Sequence, residues 1–123
     1  NDRALAKKIS TAVDCKIFEH SDPLVLKKVL GDAQVAVASR FHAIVGALSQ
    51  ATPVIAYGWS HKYEELLSDF GHPQWAVQPG TDLSSAADGL WRDEDARSVL
   101  LERGADLREQ NARMWAEVVQ TLT

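Results

Sequence analysis

Short apolar segments with strand character alternate along this chain with segments whose apolar residues recur at helical spacing. The clearest strand signals are residues 35–38 (VAVA) and residues 53–57 (PVIAY), the second opening on a proline, which a strand tolerates at its first position. Between them, an apolar stripe with i, i+3, i+4, i+7 spacing runs from Phe41 to Leu48. This alternation is typical of βαβ units, which build parallel sheets covered by helices. The sequence therefore predicts a three-layer, Rossmann-like α/β domain with a parallel sheet.

Four parallel strands are predicted, near residues 15–19, 35–38, 53–57 and 75–78. Asp22 and Pro23 form a helix start signal, and the helix that follows is expected to stop at Gly31. From Leu83 onward every signal is helical, and a long last helix is expected from about Asp93 to Leu122. The buried set is expected to include the following side chains: Cys15, Trp75, Trp91 and Trp115.

The length, charge and composition of the chain restrict the class of protein to which it can belong. The 123 residues fit a single domain, residues 1–123. The net charge of −4 argues against a nucleic-acid or anionic-membrane surface. The apolar runs are too short to form a transmembrane segment. The single cysteine excludes a disulfide framework and suggests a cytoplasmic location.

Arg40 and His42 stand where the strand at 35–38 meets the following helix. In open parallel sheets, ligands bind at such junctions, beyond the carboxyl ends of the strands. With Ser39 as the predicted N-cap, the free backbone N–H groups of the first turn would favour an anion. Arg40 adds a planar fork suited to carboxylate or phosphate, and His42 can transfer a proton. The alternative is a surface arginine beside a core histidine bonded to a carbonyl.

A second junction follows the strand at 53–57. Ser60 is a candidate N-cap there, His61 shares the turn, and Lys62 could add charge for an anion or simply be a solvated lysine. Tyr57 could line the same crevice or pack inside the fold. Trp59 could stack on a sugar, although a packing role suits the sequence equally well.

Two kinds of bound group receive no support from the sequence. No histidine–cysteine–carboxylate spacing resembles a metal site, and neither a Gly-x-Gly-x-x-Gly nor a Walker sequence occurs. We therefore predict no metal and no cofactor.

The segment SRFHAIVGALSQATPVIAYGWSHKYEELLSDFG resembles the core of the polysaccharide pyruvyl transferase family. Members of that family carry an Arg-x-His-Ala segment, a small-residue helix, a Pro-Val-Ile-Ala strand and a loop lysine before an amphipathic helix. The resemblance extends from about residue 35 to residue 71 and is only architectural elsewhere. The matching residues are Arg40, His42, Ala43, Pro53, Val54, Ile55, Ala56 and Lys62.

The resemblance implies that this chain is the C-terminal half of a two-domain, GT-B-like enzyme that also has an N-terminal domain. It implies transfer of the enolpyruvyl part of phosphoenolpyruvate onto a sugar of a cell-surface polysaccharide, which gives a pyruvate ketal and releases phosphate. Arg40, with Lys62, would bind the anionic donor. His42 would serve one of the proton transfers. The isolated chain would be inactive, because half of the active site would be missing.

Two alternatives stay open at this point. Nucleotide-sugar glycosyltransferases of GT-B type share the helix and the Pro-Val-Ile-Ala passage, but they typically carry a glutamate-rich Glu-Gly motif where this chain has Arg-Phe-His. The other alternative is a non-catalytic α/β interaction module.

Overall fold

A parallel sheet of three strands, in the order β1-β2-β3, forms the centre of the computed structural model, which describes residues 2–123. The strands are β1 Ala36–Ala38, β2 Val54–Tyr57 and β3 Ala76–Val77. In the ladder, Ala36 lies opposite Val54, and Ala56 lies opposite Ala76. The parallel pairing confirms the Rossmann-like α/β class and three of the four predicted strands.

Helices occupy most of the remaining chain. They are α1 Asp2–Val13, α2 Pro23–Asp32, α3 Phe41–Ser49, α4 His61–Asp69, α5 Leu83–Trp91 and α6 Ala96–Leu122, with a short 3₁₀ turn at Pro73–Trp75. The predicted start of α2 is confirmed, since the Asp22 carboxylate accepts a hydrogen bond from the backbone N–H of Leu24. No helix within residues 2–123 combines the length and the apolar character needed to cross a membrane.

The middle strand β2 lies at the centre of the core. Val54, Ile55 and Ala56 are all buried. Because successive strand residues point to opposite faces, both faces of the sheet must be covered. Ile44 of α3 and Leu67 of α4 are fully buried in the same cluster, and burial of each such side chain is worth about 1.5–3 kcal/mol.

The prediction of a strand at residues 15–19 is wrong. Residues 14–22 form neither helix nor strand, and residues 11–20 are all exposed. A strand needs a partner for its backbone hydrogen bonds, and this segment pairs with none of β1, β2 and β3. Cys15 is consequently exposed, so the predicted buried thiol is wrong as well.

The last helix differs from expectation at its start and along its length. It begins at Ala96, and the Asp93 side chain accepts from the backbone N–H of Asp95 instead of capping the helix directly. Trp75 is buried as predicted, but Trp91 and Trp115 are each 57% exposed. Apolar spacing reveals which face of a helix is apolar, but it does not reveal whether a neighbour covers that face.

Candidate functional site

The connections β1–α3 and β2–α4 both leave the carboxyl edge of the sheet. Since β1 and β2 are parallel neighbours, their carboxyl ends lie side by side, about 4.8 Å apart in such a ladder. Residues 39–42 and 57–62 therefore share one edge, and they include every residue predicted for the site. This edge is the position at which open parallel sheets bind ligands.

Ser39 does not cap α3, contrary to prediction. The N-cap is Arg40, with extended backbone angles (φ −115°, ψ 130°), and the helix begins one residue later than expected. Ser39 instead offers its backbone carbonyl, which accepts a 2.7 Å hydrogen bond from the hydroxyl of Tyr63. Its contribution to the edge is therefore structural in this conformation.

Arg40 extends into solvent and already binds a carboxylate. Its Nη2 donates to Oδ2 of Asp2 at 2.5 Å, and the two side chains are 73% and 82% exposed. Ion pairs this exposed contribute at most about 1 kcal/mol. An anionic ligand could therefore displace Asp2 at small cost and use the same guanidinium fork.

His42 is the second residue of α3 and is exposed. Its ring meets the Phe41 ring edge to face, with centroids 6.3 Å apart. The imidazole forms no hydrogen bond to any residue of the described range 2–123. It is accessible to a ligand at the carboxyl edge, and the alternative of a core histidine bonded to a carbonyl does not describe it.

The N-termini of α3 and α4 lack side-chain caps, within the chain described by the structure. The contrast with α5 is clear, because the Asp82 carboxylate there accepts from the backbone N–H groups of Ser84 and Ser85. First-turn N–H groups without an internal acceptor attract anions, and the helix dipole adds to this attraction. Both open ends lie at the edge that carries Arg40 and His42.

The second connection supplies the other predicted residues. Tyr57, the last residue of β2, and Ser60, the N-cap of α4, are half-buried. The Ser60 side chain makes no capping hydrogen bond, although the residue holds the predicted cap position. His61 and Lys62 open α4 and are exposed.

Tyr63 connects the two junctions, a role that the sequence interpretation missed. Its hydroxyl donates to Ser39 beyond β1, while its ring lies against Gly58 beyond β2. A Cβ atom at Gly58, where φ is +156°, would lie 2.9 Å from Cε2 of the ring, so any other residue would force the ring to move and would strain the backbone. From the sequence, Tyr63 was interpreted as a packing residue of the apolar stripe of α4. No sequence signal indicated which group its hydroxyl would contact.

No metal site is evident at this edge. Within residues 2–123, no three histidine, cysteine, aspartate or glutamate side chains are grouped so that they could hold a metal ion. An apolar groove of about 430 Å³ lies elsewhere, at the amino edge, where Leu48, Phe70 and Leu107 contribute to its walls. We favour the carboxyl edge as the site because exposed charge and open helix ends meet there.

These features define a parallel α/β domain whose carboxyl edge is suited to an anionic ligand. The family model of polysaccharide pyruvyl transferase matches residues 2–61, just under half of the chain, and confirms the resemblance predicted from the sequence. The match starts well before residue 35, includes Arg40 and His42, and ends one residue before Lys62. No solved structure matches significantly, so the GT-B resemblance stays a prediction.

Proposed function

We propose that this chain is the donor-binding part of a polysaccharide pyruvyltransferase that takes its pyruvyl group from phosphoenolpyruvate. The observation that carries the proposal is the exposed Arg40–His42 pair at an uncapped helix start, inside the segment that matches the family. Phosphoenolpyruvate bears a carboxylate and a phosphate. An arginine fork and free backbone N–H groups are the two kinds of donor that such anions prefer.

The reaction requires the site to transfer protons and to stabilise the negative charge of the departing phosphate. Protonation of the enol methylene makes the adjacent carbon electrophilic. Two sugar hydroxyls then form C–O bonds to that carbon while its bond to the phosphate oxygen breaks. The two sugar hydroxyls lose two protons in total. One is balanced by the proton that converts the methylene to a methyl group, and the other by the proton taken up by the released phosphate. His42 is accessible and able to give or take one of these protons, and Arg40 would stabilise the negative charge that shifts to phosphate.

A two-domain arrangement belongs to the same proposal. The carboxyl edge of the described chain is open to solvent, with Arg40, His42 and Lys62 all exposed. Catalysis by positioning requires contacts on more than one side of the donor. We infer that a further domain, preceding this one as in GT-B-like enzymes, closes over the edge and completes the site. The cytoplasmic location stays a prediction.

A titration followed by nuclear magnetic resonance tests the donor assignment. Phosphoenolpyruvate should shift the signals of the Arg40 side chain and the His42 ring, with a dissociation constant on the order of 1 mM, about −4 kcal/mol. Arg40→Lys keeps the charge but loses the fork and should weaken this binding. Arg92→Lys is the matched control, since Arg92 is similarly exposed (75%) and pairs with Asp88.

The same titration separates the alternatives. Saturable shifts at the edge with a UDP-sugar, and none with phosphoenolpyruvate, would favour a nucleotide-sugar glycosyltransferase. Binding of neither compound would favour a non-catalytic interaction module. An equal loss of phosphoenolpyruvate binding in Arg40→Lys and Arg92→Lys would contradict a specific role for Arg40.

A further inference from the structure

Trp59 is the feature of the carboxyl edge that the donor assignment leaves unused. It is 74% exposed, between the end of β2 and the start of α4. Single exposed apolar residues are ordinary on protein surfaces, so this exposure points to a ligand only together with the polar pocket beside the ring. The sequence was equally consistent with a packing role and a sugar-stacking role for Trp59. Because the side chain is exposed, the packing role is excluded.

A small polar pocket adjoins Trp59 on the side of β3. Its volume of about 40 Å³ is room for a hydroxyl group or a water molecule, not for a whole sugar ring. The walls include Ser60, His61, Glu64 and Gln78 beside Trp59. Within residues 2–123, the side chains of Glu64 and Gln78 make no hydrogen bonds of their own, so their polar groups are open to a ligand.

The chemistry of this pocket differs from that of the donor edge. Glu64 brings a negative charge, which disfavours a second anion, while a carboxylate, an amide and a hydroxyl together match the donors and acceptors of a polyol. An indole ring offers an apolar face to the C–H face of a sugar and a polar N–H at its edge. A neutral saccharide can stack on the Trp59 ring and place one hydroxyl in the pocket, so it matches both the apolar ring and the polar groups beside it.

We propose that Trp59 and this pocket form the acceptor subsite, which binds a neutral saccharide ring next to the donor edge. The inference rests on the proposed function for the identity of the acceptor. Its location follows from Trp59, Glu64 and Gln78 alone. Arg40 and His42 lie beyond β1, whereas the subsite lies between β2 and β3. The reacting hydroxyls would then approach the donor from the side of α4.

The test monitors the four tryptophan side-chain N–H signals of the isotope-labelled chain, assigned by single substitutions. The probes are methyl β-D-galactopyranoside, methyl β-D-glucopyranoside and methyl α-D-mannopyranoside, each raised to about 100 mM because weak stacking alone gives millimolar affinity. At least one probe should shift the Trp59 signal saturably. Trp91 is the matched control, an exposed tryptophan at the far end of α5 whose signal should stay in place.

Substitutions then identify the contacts. Trp59→Ala should weaken binding of the active glycoside roughly tenfold, Trp59→Phe less, and Trp91→Ala not at all. Glu64→Gln should weaken it as well, because the amide has a poorer acceptor than the carboxylate. Folding is not at stake for Trp59, since its ring lies outside the core.

The outcomes distinguish this inference from the proposed function. If phosphoenolpyruvate shifts Arg40 and His42 but no glycoside shifts Trp59, the acceptor subsite is wrong and the donor site stands. If a glycoside shifts Trp59 while phosphoenolpyruvate shifts nothing, the subsite stands and the donor assignment fails. Equal shifts at Trp59 and Trp91 would mean non-specific stacking and would overturn the subsite.

Discussion

At the scale of single residues, Arg40 and His42 divide the proposed work between binding and proton transfer. Arg40 is permanently charged, so it is suited to holding the donor throughout the reaction. His42 is suited to proton transfer, the usual role of an accessible histidine in catalysis. The two residues lie two positions apart at the start of one helix and do not share a helix face, so they would flank a ligand.

His42→Gln separates these roles in an active enzyme that contains this chain. The amide keeps the approximate size and some hydrogen bonding but does not titrate near neutral pH. We expect turnover to fall by about 10²–10⁴-fold while the affinity for phosphoenolpyruvate stays close to that of the parent enzyme. Steady-state kinetics with varied donor measures both, with circular dichroism as the folding control. Full turnover in the variant would exclude a proton-transfer role.

His72 offers a second residue-scale prediction, on stability. Its ring stacks on Trp75 at a centroid distance of 3.8 Å, and its buried Nε2 has no hydrogen-bond partner in the described chain. Burial lowers the pKa of His72 below its ordinary value of 6.5, and this outweighs the opposite effect of Asp93. The unfolded chain therefore takes up a proton that the folded chain resists, so stability falls as the pH drops below about 6.5.

His72→Phe keeps the stacking partner of Trp75 and removes the titrating group. The variant should lose less stability than the parent protein between about pH 7.5 and pH 5.5, two values on either side of the ordinary histidine pKa of 6.5. Urea unfolding at both pH values measures the difference. Identical pH dependence in the two proteins would show that His72 is not the source of the effect.

At the scale of elements, the carboxyl edge depends on one tyrosine that links two connections. Tyr63→Phe keeps the ring against Gly58 but removes the hydrogen bond to Ser39. We expect a loss of about 0.5–1.5 kcal/mol in the free energy of unfolding and faster hydrogen exchange in residues 39–42. Tyr57→Phe is the control, because the Tyr57 hydroxyl makes no hydrogen bond within residues 2–123. Equal effects of both substitutions would contradict the linking role.

Elements with both a periodic pattern and a clear start or stop signal were predictable from the sequence. Asp22 and Pro23 gave the start of α2, and the apolar run at 35–38 gave β1 to within one residue. The strand expected at 15–19 failed because alternation in a single segment says nothing about whether a pairing edge is available. The prediction that Trp91 is buried failed for a similar reason, since helical spacing does not show which faces of a helix are covered by a neighbour.

The candidate site was predictable in position but not in its connections. Strand-to-helix junctions follow directly from the order of elements, so residues 39–42 and 57–62 were found from sequence. The contact between Tyr63 and Ser39 spans 24 residues, and the pocket beside Trp59 combines α4 with the end of β3. Such contacts depend on how elements pack, which a local pattern does not contain.

At the scale of the whole molecule, two long surfaces of the described chain lack a neighbour. α1 has no buried residue, and Leu5, Ile9 and Val13 on its apolar stripe are exposed. The distal half of α6 likewise exposes Met114 and Trp115. Single exposed apolar residues are ordinary, but two unpartnered stripes together with an open carboxyl edge suit a domain that works in contact with another.

The isolated 123-residue chain should therefore bind phosphoenolpyruvate weakly and turn nothing over. Arg40 and the open start of α3 would provide an anion site, but they would contact the donor from one side only, and correct positioning supplies up to about 7–11 kcal/mol of a catalysed barrier. Phosphate release, measured with phosphoenolpyruvate and a saccharide mixture, should equal the rate without protein. If the proposed N-terminal domain exists, the chain that contains both domains should release phosphate. Robust phosphate release by the isolated chain would contradict the two-domain proposal, because residues 1–123 would then contain every group that the reaction needs.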